Sequence, residues 1–404
     1  MNTPRSTAHL YKPLKDSSIR LITVKPRRKY GTKIECTLQT ATLDNSLKYR
    51  ALSYVWGSTS DPKTITVNGR EFNVTHNLFE GLQQLRESMH GDKTLEVFPV
   101  WVDAICINQN DLYEKARQVP RMKDIYSQAR EVLGWLGARP FLDPFIEGSP
   151  SAGYDENDIS IGALFNHVNS EAERGNFDLN LIRTAMSLCK NVWFTRIWVV
   201  QEVVLSNKAP LLMANKHVTD MDKFFQFIKS IRVDPNEGTS MKNLTVMPAG
   251  SLWVTRQERG STPVVVHKDR KTLATSLLEV IKIFSKQEAT LPVDKIYAVL
   301  SLVSTERFPV DLTPDYALPL DQVHHAYARF LFEHTGDLTL LIRSMEKRDN
   351  IPSWVPDFSL GISYVPIPKY LAHPSFSADG HDMTIQGYHI TVFTEDLDPA
   401  PRPD

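Results

Sequence analysis

The stretch YRALSYVWG, residues 49–57, indicates the fold of this chain. It is a short apolar and aromatic run that stops abruptly at Gly57, which is typical of a buried strand followed by a turn. Two interpretations of this stretch remain open. Either the end of the strand opens onto a binding site that uses Ser53 and Trp56, or the stretch is a core strand with an ordinary turn.

The runs on either side of this stretch alternate between strand and helix patterns. The pair Asn68-Gly69 lies between two alternating runs and predicts a hairpin. A leucine stripe follows Asn77, which lies three residues before Glu80, so a helix with a capping box is expected. The predicted strands outside the hairpin are IRLITV (19–24), IECTLQTATL (34–43), YRALSYVWG, VFPVWVDAICI (97–107) and EVLGWLG (131–137).

This order of strands and helices predicts an α/β fold with an open, mostly parallel sheet and flanking helices. The second helix of the series is expected to begin at the N-cap Asp111, and Pro120 within it should kink or split it. Ligands bind such sheets beyond the carboxyl ends of the strands. Those ends here are Tyr54–Ser58, Ile107–Gln109 and Gly137.

The composition excludes several classes of partner. The 404 residues carry a formal net charge of −1, so there is no basic footprint for nucleic acid. No apolar run reaches the roughly 18 residues that a membrane span needs. The three cysteines are far apart and show neither disulfide nor zinc-ligand spacing, which predicts a reduced, cytoplasmic location and no metal.

Shifts in composition and pattern divide the chain into segments. Residues 138–160 are rich in Pro, Gly, Asp and Ser and predict a linker. The predicted segments are N-terminal strands packed on the core (1–48), a core domain (49–205), a mainly helical region (206–380) with a mobile loop (232–272), a β segment (381–393) and a disordered tail (394–404).

Glu202 is the most informative carboxylate in the sequence. It lies at helical spacing from Phe194 and Trp198 on a very apolar stretch, and burial would raise its pKa and make it a candidate acid, base or transition-state stabiliser. The alternative is a structural ion pair with an arginine such as Arg196 or Arg117, because such pairs also perturb a pKa.

Four further residues within or at the ends of the predicted strands are candidate binding residues. Asp103 lies within an apolar run and needs a partner there, either a ligand or a structural hydrogen bond. Asn108 is placed to meet a ligand or to form a turn. Gly57 and Ser58 could present backbone N–H groups to a phosphate. Cys106 has no base near it in sequence and is expected to be a small buried residue.

The common catalytic motifs are absent. The sequence has no P-loop, no G-x-G-x-x-G, no G-x-S-x-G and no H-E-x-x-H motif. The usual support for an NTPase, a dinucleotide-binding enzyme, a serine hydrolase or a zinc protease is therefore missing.

Three aromatic-rich blocks, in order, resemble the fungal heterokaryon-incompatibility (HET) domain. They are YRALSYVWG, WVDAICINQNDLYEKARQVPRMKDIYSQAREVLGWLG and WFTRIWVVQE, and they cover about residues 49–205. DKIYAVLSL, PDY (314–316) and PSWVPDF resemble segments that follow the domain in longer members, whereas Pro120 departs from the family pattern. The resemblance implies a role in fungal non-self recognition and in the cell death that follows fusion of incompatible hyphae.

A more distant resemblance, between HET and TIR domains, implies a flavodoxin-like sheet and an activity. Many TIR domains cleave NAD at the nicotinamide–ribose bond with a glutamate in a W-x-x-x-E-like setting, and Trp198 and Glu202 have that spacing. By this analogy Glu202 binds the ribose hydroxyls, the loop after Trp56 holds phosphate or nicotinamide, and Asn108 borders the pocket. NAD would be a substrate, water the acceptor, and no cofactor would be required; homo-oligomerisation is expected on the same analogy.

A second hypothesis describes the domain as a non-enzymatic interaction module. It would signal by self-association or by binding an unknown incompatibility partner, and Glu202 would be a structural ion pair. A third is that the domain has been reused in another gene cluster or host process.

Overall fold

The computed structural model describes residues 10–26, 33–91, 98–138, 154–170, 178–231, 247–261, 269–303, 312–343, 351–360 and 374–385. The predicted disordered tail at 394–404 and residues 386–393 of the predicted β segment lie outside this part of the chain.

The described residues form one nine-stranded sheet and one two-stranded sheet. The large sheet has the order β5-β4-β2-β1-β6-β3-β7-β8-β9, and the small one pairs β10 with β11. The strands are β1 (Ser18–Val24), β2 (Glu35–Thr42), β3 (Arg50–Tyr54), β4 (Lys63–Val67), β5 (Arg70–Val74), β6 (Val100–Trp101), β7 (Glu131–Trp135), β8 (Leu211–Ala214), β9 (His217–Asp220), β10 (Pro374–Phe376) and β11 (Met383–Ile385).

The large sheet is mixed, with its parallel part at the centre. β3 pairs in parallel with β6 on one side and β7 on the other, and β7 pairs in parallel with β8. Towards the edges, β1 is antiparallel to β2 and to β6, and β8 is antiparallel to β9. The predicted mostly parallel sheet is therefore confirmed for β6, β3, β7 and β8. β2 and β4 also pair in parallel, and the antiparallel pairs make the whole sheet mixed.

Twelve α-helices surround the sheets in the described part of the chain. They are α1 (His76–Gly91), α2 (Asp103–Cys106), α3 (Leu112–Gln118), α4 (Met122–Gln128), α5 (Tyr154–Asn169), α6 (Leu179–Leu188), α7 (Val199–Val204), α8 (Met221–Ser230), α9 (Pro248–Ser261), α10 (Arg270–Ile283), α11 (Asp294–Leu300) and α12 (Leu320–Thr335).

Several local predictions are confirmed. β4 and β5 form the expected hairpin, with Asn68 at φ 49° and Gly69 at φ 77°, the two positive values that a type I′ turn requires. Asp111 caps α3 by accepting a hydrogen bond from the Glu114 N–H at 3.0 Å. A 3-10 turn that contains Pro120 separates α3 from α4, as expected of a proline inside a helical pattern.

The strand predicted over residues 97–107 is wrong beyond Trp101. In the described part of this stretch only β6, Val100–Trp101, pairs as a strand, and a single helical turn, α2, begins at Asp103. Leaving the strand at this point gives the Asp103 carboxylate hydrogen-bond donors: the Ala104 N–H at 2.7 Å and the Trp56 indole N–H at 2.7 Å. If the strand continued past Trp101, the Asp103 carboxylate would be buried without these donors, and burial of an unpaired charge costs free energy.

The irregular segments expected from composition contain helices. α5 begins at Tyr154 inside the predicted linker 138–160, and α9 lies inside the segment 232–272 that was expected to be irregular. Both helices carry apolar residues that reach the core, among them Leu164, Phe165 and Leu252. β8 and β9 also extend the sheet into the predicted helical region 206–380, whose helices in the described part are α8 to α12.

The predicted capping box at the start of α1 is wrong. α1 begins at His76, where the Leu78 N–H lies 3.4 Å from the Thr75 hydroxyl. Asn77 instead accepts a hydrogen bond from the Trp135 indole N–H at 2.9 Å and donates one to the Val55 carbonyl at 2.6 Å. This side chain therefore fixes the backbone that follows β3 against the end of β7.

We expect Asn77→Ala to lower the free energy of unfolding by about 2 kcal/mol, because it leaves the buried Trp135 N–H without its acceptor. Urea denaturation measures the change. Asn73→Ala is the matched control, since Asn73 is exposed and accepts only from Thr64 across the hairpin, and it should change stability by less than about 0.5 kcal/mol. Equal losses in the two variants would contradict this role for Asn77.

Candidate functional site

A cavity of about 490 Å³ opens where the chain leaves β3 and β6. Val55, Trp56 and Gly57 line it from the end of β3, and Asp103, Ile107 and Gln109 line it from the segment after β6. Gly57 takes φ 74°, a left-handed conformation that turns the chain away from the sheet. The cavity thus lies beyond the carboxyl ends of two parallel strands, where the sequence predicted a site.

Trp56 and Asp103 hold each other at one side of the cavity. The Trp56 side chain is exposed enough to meet a ligand, with the residue 40% accessible, while its indole N–H donates to Asp103 Oδ2 at 2.7 Å. Burial raises the pKa of Asp103, and the hydrogen bond from Trp56 and the charge of Arg196 oppose that shift. The carboxylate therefore fixes the orientation of the exposed indole ring.

A second carboxylate of the cavity lining belongs to Asp294, which is far along the chain from Asp103. It is the first residue of α11, and it accepts a hydrogen bond from the Trp198 indole at 3.0 Å and from the Tyr316 hydroxyl at 2.9 Å. Burial raises the pKa of Asp294 above its ordinary value of 3.8, against these two hydrogen bonds and the charge of Lys115. Burial also raises the pKa of Tyr316, and the neighbouring Asp294 charge adds to that shift.

Glu202 lies beneath the cavity and is not among the residues that line it. Its residue is 2% exposed, the Ser53 hydroxyl donates to its carboxylate, and Arg196 Nη1 lies 3.8 Å from its Oε2. The Trp193 indole N–H in turn donates to the Ser53 oxygen at 2.7 Å. We call Ser53, Trp193, Arg196 and Glu202 the buried glutamate cluster.

The protonation of Glu202 reflects opposing effects in this cluster. Burial raises its pKa above the ordinary 4.5, the Arg196 charge and the Ser53 hydrogen bond lower it, and the Asp103 charge raises it. Burial is the largest of these effects. Breaking one side of a buried ion pair costs about 3–5 kcal/mol. The Arg196 partner weighed in the sequence analysis is thus present, whereas Arg117 pairs with Asp16.

The backbone around Glu202 differs from the continuous helix that its spacing suggested. Trp193 and Phe194 lie in a 3-10 helix, Val192–Thr195, and α7 spans only Val199–Val204. Between them Arg196 forms an isolated parallel bridge with Glu288. This extended segment carries the Arg196 side chain from the buried glutamate cluster to the wall of the cavity, which it also lines.

The structure brings half of the sequence-predicted residues to the cavity. Those that line it are Trp56, Gly57, Asp103 and Trp198, and those that do not are Ser53, Ser58, Asn108 and Glu202.

The four residues outside the cavity have other contacts. Ser53 and Glu202 belong to the buried glutamate cluster behind it. Ser58 is exposed and contacts the Ser60 hydroxyl at 2.8 Å, and Asn108 accepts from the Asn110 N–H at 3.3 Å within a turn. Asn108 therefore fits the alternative of a turn residue, although its neighbour Gln109 lines the cavity and donates to the Asp103 carbonyl at 2.9 Å.

Lys115, Asp294 and Tyr316 line the cavity but were not candidates from the sequence. Asp294 and Tyr316 do lie in the blocks DKIYAVLSL and PDY. The available signal was therefore that these two blocks, far along the chain, contain polar side chains.

Chemistry based on the cysteines or on a metal has little support in the described residues. Cys36, Cys106 and Cys189 are buried and unpaired, and burial raises the pKa of the Cys106 thiol to about 12. Within the same residues, no group of three or more His, Cys, Asp or Glu side chains could hold a metal ion. None of the described helices is both long enough and apolar enough to cross a membrane.

The raised pKa of Asp294 predicts a pH dependence of stability. Its protonated form is favoured in the folded state, so the stabilisation is present below the unfolded pKa near 4 and is lost as pH rises through the higher folded pKa. Wild type should therefore lose stability relative to Asp294→Asn as pH rises above about 4. Urea denaturation of both proteins from pH 4.5 to 8 measures the difference between their free energies of unfolding. If the wild type instead became more stable relative to Asp294→Asn as pH rises, the assignment would be contradicted.

Comparison with known proteins places these residues in a family context. Residues 49–202 match the sequence profile of the family described as "Heterokaryon incompatibility protein (HET)". The chain is 27% identical over 402 residues to "Heterokaryon incompatibility protein 6, OR allele" of Neurospora crassa, an alignment that covers 84% of this chain and 58% of the length of that relative. No solved structure matches. The similarity to the HET family thus covers residues 49–202, and the chain spans less than two thirds of the length of this relative.

Proposed function

We propose that this chain acts in fungal heterokaryon incompatibility and in the cell-death response to fusion of incompatible hyphae. The observation that carries the proposal is the HET match over residues 49–202. The matched segment includes most of the residues that line the cavity, among them Trp56, Asp103, Arg196 and Trp198. The similar Neurospora crassa protein, which carries the incompatibility name, supports the same role.

As the reaction of this cavity we propose hydrolysis of NAD at the nicotinamide–ribose bond. The bond between the ribose C1′ and the nicotinamide nitrogen would break, and its electron pair would leave with nicotinamide. A water oxygen would bond to C1′ and release a proton, which gives ADP-ribose. The spacing of Trp198 and Glu202 and the position of the cavity beyond the parallel strands support this proposal.

Within this proposal Glu202 is a positioning residue rather than a group that touches the ribose. Its carboxylate is not part of the cavity lining, and the Nη1 atom of the lining residue Arg196 is 3.8 Å away from it. Loss of the Glu202 charge would leave this guanidinium without its buried counter-charge. We therefore expect Glu202 to act on catalysis by holding Arg196 in the cavity wall.

The burial of Glu202 also favours a second candidate function, a non-enzymatic interaction module. Glu202 is 2% exposed and accepts a hydrogen bond from the Ser53 hydroxyl, as expected of the carboxylate in a purely structural ion pair. Self-association or a partner protein would then carry the signal, and the cavity would not turn over a substrate.

Nicotinamide release from NAD separates the two functions. Purified wild type should release nicotinamide, with a specific rate that rises with protein concentration if self-association activates it. Glu202→Gln should reduce the rate by about tenfold or more, because it removes the charge that positions Arg196. Glu87→Gln is the matched control, since Glu87 is exposed on α1, and it should retain the wild-type rate.

Circular dichroism must show all three proteins folded. No release by folded wild type at any concentration would overturn the hydrolase proposal and favour the interaction module. Release that persists in Glu202→Gln would remove the role given to Glu202. The incompatibility role has its own readout: induced expression of wild type should kill fungal hyphae, and hyphae that stay viable would contradict it.

A further inference from the structure

Two cationic side chains line the cavity, Lys115 near the charge of Asp294 and Arg196 near the charges of Asp103 and Glu202. Lys115 lines it from α3, and its ammonium makes no ion pair or hydrogen bond with a described residue. Arg196 lines it from the extended segment before α7, and its Nη1 is buried without a hydrogen-bond partner in the described part of the chain. Glu202, at 3.8 Å, offsets the Arg196 charge from below.

Two of the three described carboxylates that line the same cavity each accept two hydrogen bonds. Asp103 accepts from Trp56 and the Ala104 N–H, and Asp294 accepts from Trp198 and Tyr316. Glu288, the remaining acidic residue of the lining, is exposed and lies 3.4 Å from the Thr195 hydroxyl. Lys115 is therefore the lining cation that has no ion pair or hydrogen bond with a described residue, and its charge attracts an anion.

Aromatic rings complete the wall. Trp56 is 40% exposed and Tyr316 is 37% exposed, although both rings are held by hydrogen bonds to carboxylates. Rings that are exposed but fixed in orientation suit stacking against a planar group, because little side-chain freedom remains to be lost on binding. A volume of about 490 Å³ is in the usual range for small-molecule sites.

We propose that this cavity binds a nucleoside phosphate, with the phosphate at Lys115 and Arg196 and the planar base against Trp56. This inference rests on the proposed function, because the proposed substrate NAD contains a nucleoside phosphate and would bind in the same cavity. It goes further in assigning Lys115 as the residue that recognises the anion. It also makes the site composite, because Asp294 and Tyr316 lie outside the matched segment 49–202.

Isothermal titration with adenosine monophosphate, adenosine and inorganic phosphate tests the assignment on the full chain. Wild type should bind adenosine monophosphate, and more weakly as salt is raised. Adenosine and inorganic phosphate should each bind at least about tenfold more weakly, because each lacks one half of the recognised ligand. Lys115→Met should weaken binding of adenosine monophosphate about tenfold and leave adenosine binding unchanged.

Lys123→Met is the matched control, because Lys123 lies on α4 outside the cavity lining, and its affinity for adenosine monophosphate should equal that of wild type. Circular dichroism should show both variants folded. The proposal is overturned if wild type fails to bind adenosine monophosphate, or if Lys115→Met binds it as tightly as wild type does.

The test is separable from the hydrolase proposal. Binding of adenosine monophosphate by a protein that releases no nicotinamide would support this inference and remove the hydrolase. Nicotinamide release without binding of adenosine monophosphate would overturn this inference alone.

Discussion

The carboxylate of Glu202 is buried where the central sheet meets the helices that follow it. Ser53 of β3 donates to it, Trp193 of the 3-10 helix donates to Ser53, and Arg196 lies 3.8 Å away. A polar group at this depth is stable only when it is hydrogen-bonded and its charge is matched. The buried glutamate cluster therefore constrains the relative positions of the strand, the 3-10 helix and the arginine that reaches the cavity.

Small residues around the cluster make this geometry possible. A Cβ atom at Gly134 of β7 would lie 2.8 Å from Trp193 Cζ2, so a side chain there would push the indole away from Ser53. Ser53 is opposite Gly134 in the register of β3 and β7. At the far end of α7, Arg256 donates to the Val203 and Ser206 carbonyls and satisfies acceptors that follow the helix. Arg256 thus holds the C-terminal end of the short helix that carries Glu202.

Local features of the fold could be predicted from the sequence, because they depend on neighbouring residues. The β3 strand, the Asn68-Gly69 turn, the Asp111 cap and the split at Pro120 are of this kind. The break of the strand at Asp103 was not predictable, since its hydrogen-bond donor Trp56 lies far from it in sequence. Asn77 has the spacing of a cap, yet its partners Trp135 and Val55 come from tertiary packing.

The candidate site shows the same division. Trp56 was found because it lies at a predicted strand end, and Asp103 because it is a charged residue within an apolar run. Both line the cavity. Asp294 and Tyr316 reach the cavity from α11 and from the loop before α12. Their distance along the sequence from Trp56 and Asp103 gives no indication that they lie near them in the fold. Glu202 was recognised as a buried carboxylate, but the sequence alone could not decide between a ligand and Arg196 as its partner.

A double-mutant cycle between Arg196 and Glu202 tests the central claim most directly. The free energies of unfolding of wild type, Arg196→Met, Glu202→Gln and the double variant give the coupling between the two side chains. The buried pair predicts that each single variant is destabilised and that the double variant is at least about 1 kcal/mol more stable than the sum of the single losses implies. Additivity within about 0.5 kcal/mol would contradict it, and the buried glutamate cluster would then not be an electrostatic unit.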